Sequence, residues 1–163
     1  MTLELKSVSL DVDGATHIHP TSLRLADSGF NTLLGTTLAG KTTLMQIMAG
    51  LKKPSSGELW FKSRNVTGMP VQKRNVSMVY QQFINYPNMS VYDNIASPLR
   101  VARLSKADID TRVREMAELL KLDGMLKRRP SELSGGQQQR TAMARALVKD
   151  ADLVLLDEPL ANL

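Results

Sequence analysis

Residues 33–42, Leu-Leu-Gly-Thr-Thr-Leu-Ala-Gly-Lys-Thr, set an apolar run against a turn bounded by Gly35 and Gly40. From Thr42 onward the apolar positions Leu44, Ile47, Met48 and Leu51 recur at helical spacing, so a strand is expected to hand over to a helix through this turn. The segment satisfies G-x-x-x-x-G-K-[ST]. A concavity for phosphate needs successive backbone N–H groups turned inward, with glycine where a side chain would block the approach. The helix behind it adds the positive end of its dipole. Lys41 is then placed to reach β- and γ-phosphates, and Thr42 to offer its hydroxyl to Mg²⁺. A plain strand–turn–helix carrying a lysine would show the same local pattern. The rest of the chain has to separate the two.

A length of 163 residues is enough for one domain with a sizeable core. No apolar stretch reaches the length of a membrane span, and the first residues, MTLELKSV, lack the basic start and apolar core of a secretory leader. Cysteine is absent, which excludes disulfides and thiolate metal sites and leads to a cytoplasmic expectation. The formal charge of +5 admits nucleic acid or an anionic membrane face as partners. However, the basic residues come as scattered clusters (Lys52–Lys53, Lys73–Arg74, Lys127–Arg129) with few aromatics among them. That is no stacking platform, and no nucleic-acid partner is expected.

Strands are expected over 3–10, 22–25, 30–34, 58–61 and 76–80. After Tyr80 the pattern turns helical. Ser105-x-x-Asp108 is a capping box that opens a helix with the stripe Ile109, Val113, Met116, Leu119 and Leu120. A further helix runs to Val148. The run Leu153-Val154-Leu155-Leu156 then reads as a strand buried on both faces. Strands alternate with helices at both ends and a helical stretch lies between, which describes an α/β nucleotide-binding core with an inserted helical subdomain. No internal repeat is present.

Leu133-Ser134-Gly135-Gly136-Gln137 opens that last helix with a hydroxyl and two glycines, leaving its N–H groups exposed to an anion. Ordinary capping does not ask for two glycines, since each lowers helix stability by about 1 kcal/mol. Asp157 and Glu158 end the apolar strand, where such sheets bind ligands. Asp157 is placed to hold Mg²⁺, directly or through water, and Glu158 to polarise an attacking water. His17 and His19 alternate as in a half-exposed strand, a simpler account than metal binding.

Together these motifs resemble the nucleotide-binding subunit of ABC transporters, over essentially the whole chain. Gly35, Thr36, Thr37, Leu38, Ala39, Gly40, Lys41, Thr42 and Thr43 look like the Walker A loop. Ser134, Gly135, Gly136 and Gln137 look like the signature, and Leu153 to Glu158 like Walker B with its catalytic glutamate. Val79-Tyr80-Gln81 is similar to the Q-loop, which implies that Gln81 senses metal and nucleophile. Pro159 to Leu163 resembles the start of the D-loop. Residues 86–95, Tyr-Pro-Asn-Met-Ser-Val-Tyr-Asp-Asn-Ile, followed by Pro98-Leu99, are most similar to ATPases of carbohydrate and polyol importers, a glycerol-type importer being the narrower expectation. The implied fold is an α/β P-loop NTPase (RecA-like) core with an N-terminal antiparallel β subdomain over 1–81, a helical subdomain over 82–148, and Walker B with the D-loop start over 149–163. The C-terminal part of that fold, with its switch histidine, is expected to lie outside residues 1–163.

Three departures are visible. Leu38 stands where many members have glycine, and Thr36 where many have proline. Near Val12 the family's adenine-stacking aromatic is missing, so Val12 would meet the base through apolar contact. The resemblance implies ATP and Mg²⁺, a head-to-tail dimer with itself or a sister ATPase, and transmembrane permease subunits on the cytoplasmic face of the inner membrane. A solute-binding protein would be an indirect partner. Residues 82–91, with Phe83, Ile84, Tyr86, Met89 and Val91, are expected either to contact a permease or to fill the helical core. Two alternatives stay open. One is a DNA-repair or chromosome ATPase of the same superfamily, although the coiled-coil or zinc-bearing insertions usual there are not seen. The other is a truncated nucleotide-binding module that does not hydrolyse.

Overall fold

The computed structural model describes residues 3–27, 29–82 and 84–159, and the chain forms two compact units, Met1–Val76 and Ser77–Leu163.

In the first unit, β1 (Leu3–Val12) and β2 (Ala15–Arg24) make an antiparallel hairpin. Asp13 and Gly14 turn it with φ of 52° and 80°, the pair of positive values that an Asp-Gly hairpin turn supplies. That turn starts β2 at Ala15, well before the expected residue 22. β3 (Ser56–Phe61) pairs antiparallel with the other side of β1, and β4 (Arg64–Asn65) with β3, giving the order β2-β1-β3-β4. Leu5 and Val8 are both buried although three residues apart, because the register slips between them where Ser7 takes φ of 46°. α1 (Lys41–Ala49) buries Leu44, Met45, Ile47, Met48 and Ala49 and rests on β2.

Residues 30–34 were expected as a strand and are not one. Phe30 is fully exposed and Leu34 is 85% exposed. The segment has no ladder partner among the described residues, and a strand without neighbours is not stable in water.

The C-terminal end of α1 is fastened by a single cation. Arg74 donates from Nε to Met69 O (2.9 Å), from Nη1 to Met48 O (3.0 Å) and from Nη2 to Val66 O. Gly50 caps the helix at φ of 82°, and a Cβ there would come within 2.6 Å of the Arg74 guanidinium. Glycine at 50 is thus required twice, by conformation and by the close approach of Arg74. Burial lowers the Arg74 pKa, and its planar fork satisfies carbonyls from both the helix end and the turn after β4.

The second unit holds a two-stranded sheet of β5 (Val76–Val79) and β6 (Leu153–Leu156), with α2 (Val91–Val101), α3 (Lys106–Leu119) and α4 (Gly135–Leu147). The helices close around Val91, Ile95, Leu99, Ile109, Val113, Ala117, Leu122, Ala144 and Val148. Ser105 caps α3 as expected, accepting from Asp108 N at 3.1 Å. Ile109, Val113, Met116 and Leu120 fall on one stripe, but Leu119 is 69% exposed, one position off the 3.6-residue repeat. Pro98 sits inside α2 and cannot donate to Asn94 O; Ser97 Oγ takes that carbonyl instead, at 2.8 Å. In β6 only Leu155 is buried and its neighbours are half-exposed, so the expected two-sided burial is not found. Its one strand partner among the described residues is β5.

Replacing Arg74 with alanine strips donors from several half-buried carbonyls. With charge-assisted bonds at about 1.5–3 kcal/mol each and incomplete additivity, a loss on the order of 3 kcal/mol is expected in urea unfolding. Lysine, which lacks the fork, should restore less than about half of it.

Candidate functional site

One group of candidate residues forms the loop between residue 34 and α1. Gly40 precedes α1 at φ of 86°, and no side chain caps the helix start. A Cβ on Gly40 would come within 2.6 Å of the movable Ile18 Cδ1 and 3.3 Å of His17 O, and the positive φ is what favours glycine here. At Gly35 a Cβ would make ordinary contact with Ala39 Cβ at 3.4 Å. Lys41 arches back over the loop, its Nζ donating to Gly35 O and Thr36 O at 2.9 Å each. This holds an ammonium above the exposed backbone of residues 35–39. Thr42 and Thr43 follow on the first turn, Thr42 exposed. Val12 lies at the end of β1, 36% exposed.

A second group of candidate residues lies on β5, β6 and α4. Asp157, just past β6, is 3% exposed, and its N–H donates to Val79 O at 2.9 Å. Glu158 follows at the surface with φ of 47°. Gln81, which follows β5, donates from Nε2 to Glu158 Oε2 at 2.9 Å. Two residues 77 positions apart in sequence are therefore brought into direct contact.

At the start of α4 the Leu133–Gln137 motif is a reciprocal capping box. Ser134 Oγ accepts from Gln137 N at 3.3 Å, and Gln137 Oε1 accepts from Ser134 N at 2.9 Å. The sequence reading had missed this local role. It leaves the Ser134 hydroxyl proton free to donate elsewhere, since a hydroxyl both accepts and donates. The N–H groups of Gly135 and Gly136 have no partner within the helix. A Cβ on Gly135 would meet nothing within 4 Å, so no packing among the described residues asks for glycine there.

The charges at the helix starts sort in the same way. α2 and α3 carry Asp93 and Asp108 in their first turns, each bonded to its capping serine at 2.6 Å. α1 and α4 carry no acid in the first turn. An acidic residue there stabilises a helix but competes with a bound anion. The two helices that start at motif glycines are the two left without one.

The ABC transporter family profile matches residues 18–161. The chain belongs to this family. Among curated relatives, the "sn-glycerol-3-phosphate import ATP-binding protein UgpC" of Salmonella choleraesuis is 47% identical over 162 residues, covering 99% of this chain. The protein of that name from Escherichia coli K12 is 45% identical over the same length. The chain spans 46% of the length of these relatives. Among solved structures, the ATP-binding cassette MJ0796, a dimer in a post-hydrolysis state bound to ADP and Pi, superposes with a TM-score of 0.88 at 26% identity. That match covers 99% of this chain and 75% of the other.

Two site features of this ABC chain lie outside the motifs. Asn94, fully buried, accepts from Tyr86 N at 2.8 Å and donates to Tyr86 O, Met89 O and Ser90 O. It thereby fixes the loop before α2. Arg145 of α4 lies over the Tyr86 ring at 4.7 Å and donates to Ile84 O. Within the 82–91 segment, Ile84, Tyr86 and Met89 are exposed, whereas Val91 is buried in the helical core. Phe83 lies outside the described residues.

Leu38, 98% exposed at φ of 67°, holds a side chain in the left-handed region with no burial to offset it. That conformation costs a non-glycine residue about 1–2 kcal/mol, while glycine's extra unfolded-state freedom costs about 0.5–1 kcal/mol. Leu38→Gly should therefore raise stability by about 0.5–1 kcal/mol in urea unfolding.

Proposed function

We propose that this chain is the ATP-binding and ATP-hydrolysing part of an ABC importer for a small solute of the sugar or polyol class. The contact between Gln81 and Glu158 carries the hydrolytic part of the reading. It joins the expected Q-loop and the expected catalytic carboxylate in one hydrogen bond. The names of the UgpC relatives support a three-carbon polyol or its phosphate as the solute.

In this reading, residues 35–43 cradle the phosphates of ATP with backbone N–H groups, and Lys41 turns its ammonium from Gly35 O and Thr36 O toward the β- and γ-oxygens. Val12 offers an apolar surface to the base. The chain supplies a hydroxyl, Thr42, a buried carboxylate, Asp157, and an amide, Gln81, which suits Mg²⁺. That ion keeps several waters, takes phosphate oxygens and needs no all-protein cage. Mg²⁺ would neutralise charge on the phosphates. Glu158 accepts the proton of the attacking water, and Gln81, already on its Oε2, orients both.

Ser134, Gly135, Gly136 and Gln137 would close on the γ-phosphate bound by a second subunit. A helix end alone offers a charge about 0.3–1 kcal/mol, too little for a switch. Charge-assisted bonds contribute about 1.5–3 kcal/mol each, so two or three at each of two sites give on the order of 6–18 kcal/mol before ordering costs. Inverting a two-state population needs about 5.5 kcal/mol. ATP therefore closes the dimer and loss of the γ-phosphate opens it. The exposed residues Ile84, Tyr86 and Met89 would carry that motion to a permease subunit on the cytoplasmic face of the membrane.

Lys41→Ala removes the cation aimed at the β/γ-phosphates and should nearly abolish ATP binding; equilibrium titration with fluorescent ATP decides, and wild-type affinity would remove the phosphate-cradle reading. Glu158→Gln in the full-length protein should still bind ATP while turnover falls by about 100-fold or more, because an amide is no base. The trapped species should elute as a dimer in size-exclusion chromatography with ATP. Turnover within a few-fold of wild type would mean that Glu158 is not the base.

A further inference from the structure

We infer that Gln139 is a positioning residue for Glu158: from one turn inside α4 it holds the Glu158–Pro159 turn in the backbone conformation that presents the carboxylate to Gln81. The inference rests on the reading of Glu158 as the general base.

Gln139 is 2% exposed, among the most buried polar side chains described. Its Nε2 donates to Pro159 O, while its Oε1 has no partner among the described residues. A buried amide that leaves one polar atom unpaired is a poor way to fill space, since an apolar side chain of the same volume would pack there without that penalty. What the apolar side chain lacks is a donor. The carbonyl that receives it belongs to the residue directly after Glu158.

That position is one where the backbone needs help. Glu158 has φ of 47°, left-handed and unfavourable for any residue with a side chain. The following proline restricts its predecessor further and brings no N–H of its own to bond the turn. On the N-terminal side Asp157 N is tied to Val79 O at 2.9 Å. On the C-terminal side the tie is Gln139. The strained residue sits between these two ties, with its carboxylate at the surface accepting from Gln81 at 2.9 Å. Gln139 also follows Gln137 by two residues on the same helix. The element that offers Ser134 and the glycine amides at its start therefore fixes the base's backbone from its second turn.

The test uses the full-length protein, with steady-state ATPase kinetics and fluorescent-ATP binding. Gln139→Met keeps the volume and removes the donor. It should lower kcat by about 20-fold or more, with KM and nucleotide affinity within about twofold of wild type. In the Glu158→Gln background the same substitution should add nothing to the loss, measured as single-turnover hydrolysis over hours, because it acts through Glu158. A merely structural role would multiply the losses in the double variant or shift KM and affinity together. A folded Gln139→Met protein with kcat within about threefold of wild type overturns the inference. If that variant does not fold, Gln139→Asn, whose amide is one methylene too short to reach, is read by the same criteria. Should neither accumulate as folded protein by circular dichroism, Gln139 is a folding determinant and the positioning role is overturned. Turnover retained by Glu158→Gln alone is a different result: it removes the underlying assignment of the base.

Discussion

A helix that keeps its first N–H groups bare for an anion gives up the cheapest means of stabilising its own start. This chain contains both solutions. α2 and α3 begin with a serine cap locked to an aspartate three residues on, satisfying the local N–H groups and complementing the helix dipole. α1 has no side-chain cap, and α4 satisfies its third N–H from Ser134 but follows it with two glycines and no acid. What the starts of α1 and α4 lack has to be supplied from elsewhere in the fold.

For α1 the supply comes from its far end. Gly50 closes the helix in the left-handed region and Arg74 binds the Met48 carbonyl together with those of Val66 and Met69. The loop at the other end can then carry Leu38 at positive φ and Gly40 against Ile18 without the helix shifting to relieve them. Lys41 adds to this by bonding two loop carbonyls, which keeps the ammonium in place. For α4 the glycines weaken only the first turn. From Gln139 onward the helix is fixed by burial of Thr141, Ala142 and Ala144 and by side-chain bonds to three separate segments, at Pro159, Leu120 and Ile84.

The parts of this arrangement legible in the sequence were those in which identity and spacing alone impose a conformation or a chemistry. The Gly35–Thr42 turn, the serine cap of α3, the strand ending in Asp157 and Glu158, and the helix after Ser134 all lie where the residues said they would. What could not be read depended on partners distant in the chain. Phe30 to Leu34 look like a strand, yet a strand exists only with a neighbour to bond, and apolar alternation carries no information about one. Arg74 looked like half of a scattered basic pair with Lys73; only the return of the chain past α1 makes it a half-buried staple. Asn94 and Gln139 are uncharged amides inside helices, where propensity gives them no distinction, and both act on backbone carbonyls of other segments. The Asp13-Gly14 turn was local and readable, and it would have started β2 at Ala15.

These connections make α4 more than a support for the motif at its start. Gln138 O receives Asn85 Nδ2 at 2.8 Å, and Arg145 takes Ile84 O while stacking on Tyr86, so the segment after Gln81 is fastened to α4 at two points about two turns apart. Asn94 then locks the end of that segment to α2. A segment held this way is displaced with α4 and not independently of it, because moving it alone would leave the amide of Asn85 and the desolvated guanidinium of Arg145 without acceptors, at a cost of about 1–3 kcal/mol each. Gln81 stands outside those fastenings, at the joint between the segment and β5, and its amide rests on Glu158. A force that draws the start of α4 toward an anion therefore reaches the exposed Ile84 and Tyr86 through helix-borne contacts, and reaches Glu158 through Gln139 on one side and Gln81 on the other. One helix thus bonds both the backbone beside Glu158 and the exposed segment at Ile84.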